Sequence, residues 1–227
     1  MSAMSKKEFD QFEFEHLLSE RLHKQGINDN ERGYIDFPVE WLLTEEPALI
    51  VPFEKKSIAE RKGIDRKKTV ICFFTNDGDI YTRFRHLDED VETYRDYMGV
   101  IGFDLSPRVD ARLEQQQFNI RLSQLATAVL ATQGIKIIPN FRIGEMLTIR
   151  ALNSYPRHTL FCTGSLGCAQ KPQEDLKIDL RILENKIISR RPSKLLVYGK
   201  LPDAFKAKLA ELEQPYREYT DYRNLTH

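Results

Sequence analysis

Thr69-Val-Ile-Cys-Phe-Phe74 runs apolar without a break and stops at Thr75-Asn-Asp-Gly78. A strand with one wet face alternates apolar and polar residues. A run that is apolar at nearly every position suits a strand buried on both faces, as in a parallel sheet. Four later runs repeat the pattern. Val100-Ile-Gly-Phe103 leads into Asp104-Leu-Ser-Pro107, and Ile135-Lys-Ile-Ile138 leads into Pro139-Asn140. Thr159-Leu-Phe-Cys162 leads into Thr163-Gly-Ser-Leu-Gly167, and Lys194-Leu-Leu-Val-Tyr198 into Gly199-Lys-Leu-Pro202. The runs start roughly 24–35 residues apart, the length of a strand plus a crossover helix.

Helical patterns fill the intervals. Phe118, Leu122, Leu125, Ala126, Val129 and Leu130 keep helical spacing and Gly134 follows as a stop. Leu176, Leu180, Leu183 and Ile187 do the same, and shorter helices are expected over Asp88–Met98, Glu145–Leu152 and Ala204–Leu212. The pattern predicts an α/β fold: a parallel sheet of about five βα units, open or curled into a partial or distorted barrel. Periodicity fits both forms.

The flanks read differently. Phe12, Phe14, Leu17, Leu18 and Leu22 suggest a helix over about residues 6–24, stopped by Gly26. Pro38, Pro47 and Pro52 break the stretch from Tyr34 to Phe53 into extended chain and turns, and Lys55–Lys68 reads as a solvated connector. The expected organisation is an N-terminal helical and extended segment over 1–68, an α/β body over 69–213 and a polar tail over 214–227.

The 227 residues carry 34 basic and 34 acidic side chains, so the formal net charge is zero. That argues against coating nucleic acid by bulk charge and leaves room for a local basic patch. Hydrophobic residues make up 41% of the chain, enough to build a core and to exclude a disordered chain. Three widely spaced cysteines, Cys72, Cys162 and Cys168, fit a reducing compartment. Met1–Asp10 is polar and the apolar runs are strand-sized, so the reading is a cytoplasmic protein with no membrane contact. Nothing in the pattern speaks to oligomeric state.

Ligands of parallel α/β folds sit at the carboxyl ends of the strands, where loops and helix N-termini converge. That rule selects Asp77, Asp79 and Arg83 after the first run, and Asp104 and Ser106 after the second. It selects Asn140, Arg142 and Glu145 after the third, Ser165, Gly167 and Cys168 after the fourth, and Tyr198 and Lys200 at the fifth. Asp77, Asp79, Asp104 and Glu145 are the candidate catalytic carboxylates, suited to acid/base work or to Mg²⁺. The competing reading is that they close turns and cap helices. Asp77, Asp79 and Asp104 would repel one another unless an arginine, a proton or a cation lay between them; Arg83 and Arg142 are the available counter-charges. Thr163-Gly-Ser-Leu-Gly-Cys168 could bring backbone N–H groups to an anion, or simply make a tight turn. No His/Cys spacing suggests zinc.

Five stretches in order, Leu49-Ile-Val-Pro-Phe53, Phe103-Asp-Leu-Ser-Pro107, Gln133-Gly-Ile-Lys-Ile-Ile-Pro139, Ser165-Leu-Gly-Cys168 and Leu196-Val-Tyr-Gly199, resemble a family of unknown function encoded by phages, plasmids and conjugative elements. The family pattern carries a Trp soon after the Ile-Pro step, where this chain has Phe141-Arg-Ile143. The resemblance spans roughly Leu49 to Gly199 and implies that Asp79, Ser106, Pro107, Gly167, Cys168, Tyr198 and Gly199 fall on motif positions. It implies a genetic setting rather than a reaction.

The expected function is to bind or act on a phosphate-bearing ligand, a nucleotide or a nucleic-acid end, with Arg83, Arg142, Ser165 and Lys200 holding phosphate. The rival is a non-enzymatic adaptor or inhibitor that grips a host or element protein through Phe12, Phe14, Tyr34, Phe37 and Trp41.

Overall fold

A computed structural model describes residues 10–164 and 173–225. The five expected strands are present among them, together with two more. β1 (Leu49–Pro52), β2 (Thr69–Cys72), β3 (Gly99–Ile101) and β4 (Ile137–Ile138) form one parallel sheet in that order. β5 (Leu160–Gly164), β6 (Lys194–Tyr198) and β7 (Tyr216–Tyr219) form a second, also parallel. β1 comes from the N-terminal segment and β7 from the stretch read as a tail.

α1 (Gln11–His23) precedes the strands, α2 (Ser57–Arg61) links β1 to β2, and α3 (Asp77–Arg85) and α4 (Val91–Arg95) link β2 to β3. α5 (Leu113–Thr132), α6 (Gln173–Arg190) and α7 (Asp203–Glu211) make the longer crossovers, and α8 (Tyr222–Leu225) follows β7. Between β4 and β5 the chain forms a 3₁₀ run, Met146–Ser154, where an α-helix over Glu145–Leu152 was expected. Lys55–Lys68 is more than a connector, because α2 buries Ile58 and Ala59.

The two sheets are linked. Cys162 N–H donates to the Pro139 carbonyl at 2.9 Å and Phe141 N–H donates to the Cys162 carbonyl at 2.7 Å, a parallel bridge between the end of β4 and β5. The strands therefore follow one another in sequence order, and successive side chains point to opposite faces. Ile71, Val100, Ile137, Phe161 and Val197 pack with helix residues such as Leu125, Val129, Phe84 and Leu209. The alternate set, including Ile50, Cys72, Ile101, Ile138, Cys162, Leu196 and Tyr219, forms a second buried cluster to which every strand contributes and no helix does. A flat sheet would need another layer to bury that face; here the strands bury it against one another, so the sheet is curled. The stacked rings of Phe74, after β2, and Tyr198, in β6, lie 5.7 Å apart although three strands separate theirs in the order.

The curl stops short of closure. Among the described residues no backbone ladder joins β7 to β1. Side chains cross the seam instead: Tyr219 Oη donates to the Pro47 carbonyl at 2.8 Å, and Glu46 takes both Lys194 and Arg217. The result is an incomplete seven-stranded barrel wrapped by helices. Outside it, Arg121 of α5 docks the N-terminal segment by pairing with Glu15 at 2.7 Å and Asp29 at 2.6 Å.

Leu125 is fully buried in the middle of α5. Leu125→Asp places an uncompensated charge between helix and barrel, which costs about 3–5 kcal/mol. Chemical denaturation is expected to show that loss in unfolding free energy or, for a marginal domain, no folded protein; an unchanged midpoint contradicts the packing.

Candidate functional site

α5 carries a row of buried polar side chains within its apolar surface. Gln116, Asn119, Ser123 and Thr127 recur at three- and four-residue spacing and are each at least nine-tenths buried. They serve backbone that leaves the barrel. The Phe103 N–H donates to Thr127 Oγ1 at 3.1 Å and the Leu105 N–H to Ser123 Oγ at 3.2 Å. Asn119 Nδ2 donates to the Ser106 carbonyl at 2.8 Å, and Gln116 Oε1 accepts the Glu145 N–H at 2.8 Å. A buried N–H without a partner is costly, so this row fixes the loops after β3 and β4. Asp77 holds the same β3 loop from the other side by accepting the Ser106 N–H at 3.0 Å.

The loops so fixed enclose a cleft of about 490 Å³ over the carboxyl ends of the strands. Pro52 ends β1, Phe74 and Thr75 follow β2, Asp104 and Ser106 follow β3, Arg142 follows β4, and Gly164 ends β5. Asp79, Glu54, Lys55, Tyr222 and Arg223 complete the wall. Asp104 sits deepest among the charges, its side chain 12% exposed. Its Oδ1 accepts Asn140 Nδ2 at 2.8 Å and faces Arg142 Nε at 3.8 Å. Asn140 is buried and also donates to the Phe103 carbonyl at 3.2 Å, which sets its amide toward Asp104. Burial pushes the Asp104 carboxyl above its ordinary value, against the opposing pull of Arg142 and Asn140. A carboxyl so placed can carry a proton at higher pH than a solvated one, which is what acid/base work requires.

The other candidates divide. Asp79 lines the cleft in the first turn of α3, which Asn76 caps: the Asp79 N–H donates to Asn76 Oδ1 at 3.0 Å, while Asp79 Oδ2 accepts Thr75 Oγ1 and Asn76 Nδ2, both at 2.6 Å. Asp79 therefore braces the capping residue as well as standing in the wall. Asp77 is spent on the Ser106 backbone. Arg83 is not part of the wall; it pairs with Asp90 at 2.9 Å and lies over the Phe53 ring. Glu145 and Lys200 also lie outside the lining, Lys200 on the exposed surface. Tyr198 is buried beneath the cleft, where its oxygen accepts the Tyr222 N–H at 2.9 Å. Ser165, Gly167 and Cys168 lie outside the described residues.

Lys55, Tyr222 and Arg223 are wall residues that the sequence does not single out: Lys55 falls in the expected solvated connector, and Tyr222 and Arg223 in the expected tail. No local signal marks them, because β1 and β7 bring them in. The polar row at Asn119, Ser123 and Thr127 did leave a signal: polar residues at four-residue spacing inside an apolar helical stripe. Among the described residues no three His, Cys, Asp or Glu side chains group tightly enough to hold a metal ion.

The class of protein that fold and site define is a parallel α/β barrel, incomplete, with a charged cleft at the strand ends. The model of the family described as a domain of unknown function, DUF4417, matches residues 35–219, and the chain belongs to that family. The match takes in all seven strands and stops before Tyr222 and Arg223. No curated protein and no solved structure matches the chain.

Two outcomes test this geometry. Because folding raises the Asp104 carboxyl, its contribution to stability is full below the ordinary carboxylate range and falls as pH rises through the raised value. Asp104→Asn is therefore expected to melt at or above the wild-type temperature at pH 7, with the margin closing at acid pH. Ser123→Ala leaves the Leu105 N–H unpaired and is expected to cost about 1–3 kcal/mol in urea unfolding.

Proposed function

We propose that this protein binds, and acts on, a phosphate-bearing ligand, a nucleotide or a nucleic-acid end, in the strand-end cleft. The observation that carries the reading is Arg142 in the cleft wall beside the nearly buried carboxyl of Asp104. An arginine fork suits phosphate, and a carboxyl whose proton is held by burial suits the acid/base step of a reaction at that phosphate. Lys55 and Arg223 in the same wall add positive charge where an anion would enter. The family resemblance adds a genetic setting, a phage or mobile element, and we place the protein's action in its replication or counter-defence, in the cytoplasm.

The adaptor reading loses most of its anchors. Tyr34 and Phe37 are buried, Phe14 stacks on Phe84 at 5.3 Å, and Trp41 packs edge-on to Phe37 at 5.7 Å. Of the five, Phe12 stands out at 70% exposed, and its ring lies 4.8 Å from Phe118.

The test is a thermal-shift and calorimetric titration with pyrophosphate, nucleoside mono- and triphosphates and a 5′-phosphorylated single-stranded oligonucleotide. At least one is expected to stabilise the wild type. Arg142→Ala, at a half-exposed position that folding tolerates, is expected to lose about 1.5–3 kcal/mol of that binding, roughly 10- to 150-fold in Kd. No shift with any phosphate compound rejects the reading.

A further inference from the structure

A second hollow of about 410 Å³ lies on the far side of Arg142. Its lining mixes apolar residues, with Pro107, Ile143, Ile182, Leu201 and Phe205 among them, with charges of both signs: Arg108 and Asp110, which pair at 2.6 Å, Asp179 and Lys186. It shares two residues with the strand-end cleft, Arg142 and Gly164. Both hollows fall within the roughly 300–1,000 Å³ of small-molecule sites.

The shared residues are suited to a passage. A Cβ on Gly164 would stand 3.2 Å from the Phe74 ring, closer than ordinary van der Waals contact, so a side chain here would crowd the point where the hollows meet. Arg142 presents a planar guanidinium, a group that can hold phosphate through its N–H edge and lie against an aromatic face.

Resting on the reading that the cleft takes phosphate, we propose that the ligand is a nucleoside phosphate lying across Arg142, its phosphate in the polar cleft and its base in the apolar hollow. The distribution of side chains supports this orientation. The cleft holds the carboxyl and hydroxyl groups of Asp104, Asp79, Thr75 and Ser106 with the cations Lys55 and Arg142. The hollow offers aliphatic walls and the Phe205 ring beside charges of both signs, Arg108 and Lys186 with Asp110 and Asp179. A base has apolar faces and polar edges and matches such a lining; an acyl chain would leave Arg108 and Lys186 facing hydrocarbon.

The experiment compares ribose 5-phosphate with the four common nucleoside monophosphates by isothermal titration, in the wild type and in Ile182→Gln and Val109→Gln. Both substitutions put a neutral polar side chain into the hollow's wall, and Val109 is 71% exposed, so folding does not depend on it. At least one nucleotide is expected to bind tenfold or more tighter than ribose 5-phosphate. The two variants are expected to cut that margin several-fold and to leave ribose 5-phosphate unchanged. Equal affinity for ribose 5-phosphate and every nucleotide overturns the two-part ligand while the phosphate reading stands. A margin that survives in both variants also overturns it, by placing the base elsewhere. If ribose 5-phosphate and all the nucleotides fail to bind, the two-part ligand falls, and the phosphate reading falls with it only when pyrophosphate, the triphosphates and the phosphorylated oligonucleotide fail as well.

Discussion

Backbone that leaves a parallel barrel must find partners for its N–H and carbonyl groups, and here one helix supplies several of them. Thr127, Ser123, Asn119 and Gln116 of α5 take up the loop after β3 and the start of the loop after β4. These bonds lie in the interior, where an unpaired group would cost far more than a paired one contributes. α5 thus does two jobs with one surface. Its leucines and Val129 cover the barrel, and the polar row among them positions Asp104, Ser106 and Glu145. The site inherits the rigidity of the core, because the residues that hold its loops cannot move without breaking core packing.

The same economy appears in the barrel. The first six strands bury one face against the helices and the other against the barrel interior, so nearly every one of their residues is apolar. Curling brings the carboxyl ends of β1 to β5 around one opening, and residues distant in sequence, from Pro52 to Gly164, share a wall. The seam between β7 and β1 is carried by Tyr219, Arg217 and Glu46 in place of a ladder. Tyr219 can bridge it because one end of the ring is apolar and faces the interior while the hydroxyl reaches the Pro47 carbonyl.

A chain with zero net charge can still concentrate charge locally. Arg142 and Asp104 face each other at 3.8 Å, too far for a tight ion pair, with Asn140 taking the carboxylate directly. Arg142 is half exposed and lines the cleft. Asp90 and Arg83 show the contrast: they pair at 2.9 Å outside the cleft wall, and Arg83 lies over the Phe53 ring.

The five central strands were legible because burial on both faces writes an unbroken apolar run, and the helices because one-sided burial writes a 3.6-residue stripe. β1 was hidden by its prolines, which mark extended chain without saying that it pairs. β7 was hidden because Tyr216-Arg-Glu-Tyr219 lies at the seam, with Arg217 and Glu218 exposed, and so lacks the doubly buried signature. The strand-end rule picked out the part of the cleft that follows β2, β3 and β4: Asp79, Asp104, Ser106 and Arg142. It cannot say which way a side chain turns. Arg83 points to Asp90, Asp77 to a backbone N–H, and Glu145 leaves the opening, because helix phase and neighbouring partners decide direction. Lys55, Tyr222 and Arg223 reach the cleft through chain closure, a long-range event with no local imprint. Local physics, the burial of each residue's own faces, determined the strands and helices; the curl of the sheet decided which distant residues meet around its mouth.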